Sequence, residues 1–232
     1  MYLFSELPEI GEEYRVQFPH PREADAEGIL GQGGNLSPGV LLSAYEQGIF
    51  PWYMPETPIL WWSPDPRCVI FLSDFHMSRR SRRALNKKNY RFSADQHFEL
   101  VIRSCATVGR ENGTWISNEM IQAYCELHRL GYAHSVEVLE DDELVGGLYG
   151  VSRGNIFFGE SMFSHHSGAS TWALAALVNF LQFQNVALID SQVANSHIEG
   201  MGGRTIPRKD YLQYLADALK NPPIGDWQSL SL

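Results

Sequence analysis

The chain has 232 residues, 44% of them hydrophobic and 12% aromatic, and a formal charge of −9. That length suits one large domain or two modest ones around a real core, and no run approaches the ~18 apolar residues of a membrane-spanning helix. The acidic balance excludes general affinity for nucleic acid, so any RNA contact has to come from a local basic patch.

Three scattered cysteines, Cys68, Cys105 and Cys125, fit neither a disulfide framework nor a metal knuckle. They read as small buried hydrophobes of a reducing cytoplasm. The N-terminus lacks a basic segment ahead of an apolar stretch, so no secretory signal is expected.

Residues 1–34 are rich in Pro, Gly and acidic side chains and read as extended chain ending in the turn Gly31-Gln32-Gly33-Gly34. A helix follows, with Ser37 as its cap, Pro38 in the first turn and Gly48 as a left-handed stop. Leu41, Ala44 and Tyr45 share its buried face. Prolines at 51, 55, 58, 64 and 66 exclude regular helix from the next segment, which carries Trp52, Tyr53, Trp61 and Trp62. Trp61 and Trp62 read as glue between a small N-terminal unit, 1–63, and a main domain, 64–232. Trp52 is the better ligand candidate.

A short strand is expected over 68–72. Seven of the eighteen Lys and Arg residues then fall within thirteen positions: Arg79, Arg80, Arg82, Arg83, Lys87, Lys88 and Arg91. On a helix starting after Ser78, Arg79, Arg82 and Arg83 share one face. Such a face is usually just solvated, but in an acidic protein it leans toward a polyanion footprint.

Ser93 and Gln96 have capping-box spacing ahead of a helical stripe of Phe98, Val101, Ile102 and Cys105. A second helix, 117–131, turns Met120, Tyr124, Leu127 and Leu130 inward. A strand over 133–139 turns at Asp141-Asp142 into a hairpin, whose strands flank Ser152-Arg153-Gly154-Asn155. The second hairpin strand carries Glu160, Ser161 and Met162 directly after Phe157 and Phe158. The loop with His165 and His166 leads into an apolar helix, 169–183. A strand over 186–190 ends on Asp190 and is followed by Gln192, and Pro207 begins a last helix. This order is an α+β pattern around a mostly antiparallel sheet.

Two apolar strands that each finish in a carboxylate read as pocket lining about as readily as solvent-edge caps. His165, His166 and His197 lack acidic or Cys partners at helical spacing, so no metal is expected. The Gly-rich turn near residue 33 lacks the strand–helix context of a phosphate loop.

The ordered segments GGNLSPGVLLSAYEQGIFPWY, ILWWSPDPR, GTWIS, AHSVEV, ELVGGLYGV, FFGESMFS, LIDSQVANSH and IPRKDYL resemble the leucyl/phenylalanyl-tRNA–protein transferase family over roughly 28–215. The resemblance implies a small N-terminal domain joined to a GCN5-type N-acetyltransferase-like domain. It implies transfer of Leu or Phe, and less well Met, from aminoacyl-tRNA to an N-terminal Arg or Lys of a protein, marking that protein for bacterial N-degron degradation. A cytoplasmic monomer that needs no membrane is the matching expectation. Functional weight then falls on Glu160, Asp190, Gln192 and Asn195, while Trp52 and Trp115 match positions that hold the 3′ end of the tRNA. Ser191 stands where the family often carries Cys, so a thiol nucleophile is not part of the expected chemistry.

An aminoacyl ester is already activated, so its aminolysis needs no ATP, metal or other cofactor. Positioning alone supplies roughly 7–11 kcal/mol. An α-amine of pKa about 8 is only partly neutral at pH 7, and Asp190, acting through or beside Gln192, is the expected proton acceptor. Leu148, Tyr149, Phe157, Phe158 and Met162, with Ser161, are expected to wall an apolar cavity for the donor side chain. Arg79, Arg82 and Arg83 are expected to grip phosphates of the acceptor stem. The rival readings are an acyl-CoA N-acyltransferase on a similar fold and a non-catalytic module that binds RNA or N-terminal Arg or Lys.

Overall fold

A computed structural model describes residues 1–4, 7–87, 89–110 and 113–231. The Pro-rich first quarter forms only short strands: β1 (Tyr2–Leu3), β2 (Ile29–Gln32), β3 (Phe50–Pro51) and β4 (Leu60–Trp62), paired in the order β1-β2-β4-β3. Helix α1 (Pro38–Glu46) starts on a proline, whose missing N–H costs nothing there, and stops at Gly48, φ +77°. A Cβ on Gly48 would stand 2.6 Å from Leu212, so close packing demands glycine as much as the turn does. Ser37 is the N-cap residue as expected, but its side chain makes no capping bond. Its hydroxyl accepts the Ile10 N–H at 3.1 Å and ties the leading segment to α1.

The remaining elements are β5 (Arg67–Phe71), α2 (Arg79–Leu85), β6 (Tyr90–Ala94), α3 (Phe98–Thr107), α4 (Asn118–Arg129), β7 (Ala133–Glu140), β8 (Glu143–Arg153), β9 (Ile156–Ser164), α5 (Ala169–Phe183), β10 (Leu188–Gln192), α6 (Ser196–Glu199), β11 (Gly203–Ile206) and α7 (Arg208–Ala218). The strands form one sheet in the order β11-β5-β10-β9-β8-β7-β6, antiparallel except at β9–β10. Asp141 and Asp142 both take positive φ, +51° and +66°, giving the two-residue turn whose twist suits the β7–β8 hairpin. One face of the sheet packs against α1, α3, α4 and α7, the other against α5, which is apolar nearly all round and correspondingly buried. The expected mixed architecture with a mostly antiparallel sheet is the one observed.

The capping-box reading of Ser93 and Gln96 is corrected. Ser93 belongs to β6, where its hydroxyl donates to Glu137 at 2.6 Å, and α3 begins only after His97. Pairing with β7 outweighs a local cap. Among the described residues no helix is long and apolar enough to cross a membrane.

The feature that creates a site is a short ladder. β9 and β10 pair only at Phe157–Ile189 and Phe158–Asp190. Past that point β10 carries a bulge between Asp190 and Gln192, and Gln192 adopts a left-handed φ of +54°. The two strands part, and the sheet opens.

Candidate active site

A cleft of about 760 Å³ fills the opening. Leu148, Phe157, Met162, Leu174, Leu177 and Ile189 give it an apolar floor. A second lobe of about 490 Å³ runs toward Phe50, Pro51 and Trp52. Trp115, Glu160, Ser191 and Gln192 line both lobes, so two ligands in the two lobes would meet at these side chains. An apolar concavity with a few convergent polar groups is the usual form of a small-ligand site.

Among the described residues, no cation hydrogen-bonds to Glu160. Its carboxylate accepts from the Tyr45 hydroxyl at 2.8 Å, the Tyr124 hydroxyl at 3.3 Å and the Gln192 amide at 3.2 Å, and the two phenols bond to each other. Burial pushes its pKa up to about 7; the Tyr45 hydrogen bond works against that rise and the nearby Asp190 charge adds to it. Near neutral pH such a group both holds and releases a proton.

Asp190 is held entirely differently. Arg67 reaches it through Nε at 2.9 Å and Nη2 at 2.7 Å, the Tyr211 hydroxyl donates at 2.7 Å, and the Gln192 backbone N–H donates at 3.0 Å. The Arg67 guanidinium also donates to the Gly48 carbonyl at 3.1 Å and lies over the rings of Phe50 and Tyr211. Both members of the pair are buried.

Strand alternation predicts that Asp190 and Gln192 point side by side into one pocket. The bulge undoes this. Asp190 turns to the Arg67 side and does not line the cleft, whereas Gln192 turns its amide to Glu160. The expected placement of Asp190 beside Gln192 in the pocket is corrected accordingly: the Asp190 oxygens are committed to protein donors.

Phe158 also lies outside the cleft. It packs on the Tyr45 ring with centroids 5.0 Å apart, on the opposite side of the sheet from Phe157. Leu148, Tyr149, Phe157, Ser161 and Met162 do line the cleft, and so does Asn195. The Asn195 side-chain oxygen caps α6 by accepting from His197 and Ile198, which fixes the loop after β10.

Trp52 is 38% exposed and leans on Trp62, ring centroids 5.3 Å apart, while Trp61 is wholly buried against Phe18. Arg79, Arg82 and Arg83 sit on the exposed helix α2 and line neither lobe. Lys88 of the basic run lies outside the described residues.

Sequence reading missed several participants. Tyr45 and Tyr124 stood in stripes read as plain core, yet a buried tyrosine hydroxyl must find a partner, and that requirement was the available signal. Arg67 sat unremarked at the start of a strand otherwise buried on both sides. Arg110 lines the cleft with its guanidinium 3.4 Å from the Ser161 hydroxyl, and no periodicity marks it. Among the described residues no three His, Cys, Asp or Glu side chains gather as metal ligands; His166 pairs with Glu140 at 2.8 Å, away from His197.

Known proteins resemble this chain along nearly its whole length. Residues 69–216 match the family model described as leucyl/phenylalanyl-tRNA protein transferase, and 34–65 match that of its N-terminal domain. Proteins named leucyl/phenylalanyl-tRNA–protein transferase are 49% identical in Syntrophus aciditrophicus (92% of this chain, 91% of that protein) and 50% identical in Yersinia enterocolitica (93% and 92%). One from Flavobacterium johnsoniae is 51% identical over 85% of this chain and 94% of its own. Among solved structures, L-PGS from Bacillus licheniformis aligns at a TM-score of 0.39 and 13% identity over 67% of this chain and 50% of that one, a likeness too distant to carry an argument.

Proposed function

The chain belongs to the leucyl/phenylalanyl-tRNA–protein transferase family, and from that premise we propose how its cleft moves an aminoacyl group from tRNA to protein. The apolar lobe takes the Leu or Phe side chain of the donor, with Met accepted less well, and Trp52 and Trp115 hold the 3′-terminal adenosine. One methylene is worth only about 1–3 kcal/mol in such a lobe, so tolerance among large apolar side chains follows. The acceptor, a protein beginning with Arg or Lys, enters by the second lobe.

Its α-amine attacks the ester carbonyl at the junction. Gln192 orients the amine, and Glu160 accepts the proton that the new amide nitrogen must lose. Asp190 acts one step back, fixing the Gln192 backbone. The observation that carries this reading is that both lobes share Glu160 and Gln192, with Glu160 poised near pH 7.

On this reading 1–63 is the small N-terminal domain and 64–232 a GCN5-type N-acetyltransferase-like unit, its β9–β10 pair opening after two residues. Arg79, Arg82 and Arg83 meet the acceptor-stem phosphates, contacts that carry no sequence information.

Labelled Phe-tRNA incubated with peptides beginning with Arg or Ala tests the proposal. Label is expected on the Arg peptide alone, and its absence there defeats the reading. Arg79→Ala with Arg83→Ala should weaken use of Phe-tRNA and flatten its salt dependence while sparing phenylalanyl-adenosine. Equal losses with both donors would remove the stem-binding role from α2.

A further inference from the structure

Tyr149 is a cleft residue whose hydroxyl has no explanation in folding. The side chain is wholly buried, lines the larger lobe, and its oxygen has no hydrogen-bond partner among the described residues. Leaving a buried hydroxyl unpaired costs about 1–3 kcal/mol, so phenylalanine would serve the fold better at this position. The hydroxyl cannot swing away to find a partner, because the ring is clamped edge-on between Phe98 (6.0 Å) and Tyr124 (5.7 Å). Tyr149 stands directly across the β8–β9 ladder from Ser161, in register next to the strand segment that carries Glu160. Arg110 reaches the same corner through Ser161.

The larger lobe therefore carries both a proton acceptor, the Glu160 carboxylate, and hydrogen-bond donors, Tyr149 and the Arg110 guanidinium. Aminolysis of an ester passes through a tetrahedral adduct that calls on both kinds of group. The C–N bond forms, the carbonyl π pair moves onto oxygen, and the nitrogen becomes positive. Glu160 takes the proton from nitrogen, the oxyanion pair re-forms the carbonyl as the C–O bond to the ribose breaks, and the departing ribose oxygen takes that proton from Glu160.

We propose that the Tyr149 hydroxyl donates a hydrogen bond to the carbonyl oxygen of the donor ester and stabilises the negative charge on it during transfer. The proposal rests on the transferase reading above. Burial, reinforced by the Glu160 charge, holds the Tyr149 ionisation far above the ordinary phenol range, so it remains a neutral donor across working pH. Glu160 and Ser161, beside Tyr149 in the ladder, are both partly accessible from the lobe.

The test is Tyr149→Phe, assayed with phenylalanyl-adenosine and an Arg-initial peptide beside chemical denaturation of the same samples. Removing a donor whose bond strengthens in the transition state lowers kcat and leaves KM nearly unchanged. A loss of 10- to 100-fold in kcat is expected, with unfolding stability equal to or above that of the wild type. A purely structural tyrosine predicts the reverse pattern, with unchanged kcat or a rate loss that follows lost stability. Either of those results overturns the proposal. Wild-type transfer in the same assay checks the function itself, so a deficit confined to Tyr149→Phe speaks to the hydroxyl alone. If neither protein transfers, the inference falls with the reading it rests on.

Discussion

The ends of β9 and β10 carry one carboxylate each, and the two are treated in opposite ways. Asp190 is wrapped by a guanidinium, a phenol and a backbone amide, whereas among the described residues Glu160 bonds to phenols and a side-chain amide. A carboxylate gripped by a guanidinium on both oxygens serves as a fixed anchor. A carboxylate buried among neutral donors has a costly charge and becomes one that exchanges protons near neutrality. On the proposed reading, one carboxylate does scaffolding on its strand and the other does chemistry on the neighbouring one.

The sharpest way to break this comparison is to remove each carboxylate in turn. Asp190→Ala leaves the Arg67 charge buried and unpaired, which should cost about 3–5 kcal/mol in urea unfolding. Glu160→Ala leaves no orphaned cation and should cost far less at pH 8. Equal losses would mean that both carboxylates are structural.

The next effect is the pH dependence of stability. The Glu160 pKa rises from 4.5 to about 7 on folding, so between those values the folded chain holds a proton that the unfolded chain has released. Stability from this group therefore falls as pH rises through that window, by up to about 3 kcal/mol. Glu160→Gln should abolish that part of the slope, so that the variant gains on the wild type as pH climbs to 8. In single-turnover transfer the wild-type rate should rise through about pH 7 as Glu160 ionises. The Gln variant should lose that limb along with most of its rate. A Gln variant that keeps the limb would assign the proton to another group.

The smallest effect refines the environment of Glu160. The Tyr124 hydrogen bond lowers the Glu160 pKa, so Tyr124→Phe should move the rising limb to higher pH, by less than about one unit. Tyr211→Phe, which touches Asp190 instead, should leave the limb in place. A shift in both variants, or in neither, would show that the two carboxylates do not act separately.

Much of this was legible in order along the chain. The strand–turn–strand pattern around Ser152-Arg153-Gly154-Asn155, the apolar run that becomes α5, the glycine stop of α1 and the arginine face of α2 all follow from local rules of period, turn chemistry and capping. Those rules act over a few residues, and a sequence displays them directly. The short edge strands β6 and β11 and the four strands of the first sheet were not legible, because each is defined by a partner far away in the chain. Ser93 shows the contest plainly: its local spacing favoured a cap, and a distant Glu137 claimed the hydroxyl.

Four residues of the cleft could be read off the chain, because Glu160, Ser161, Met162 and Gln192 sit at the ends of strands whose apolar runs must enter the sheet. Their surroundings came only from contacts across the fold. Asp190, still in register, faces Arg67, which lies 123 positions earlier, and the single bulge after it turned Gln192 to Glu160. The proton affinity of a carboxylate depends on what stands within a few ångströms of it, and in this fold those neighbours come from α1, α4, β5 and α7, elements that no local pattern links to one another.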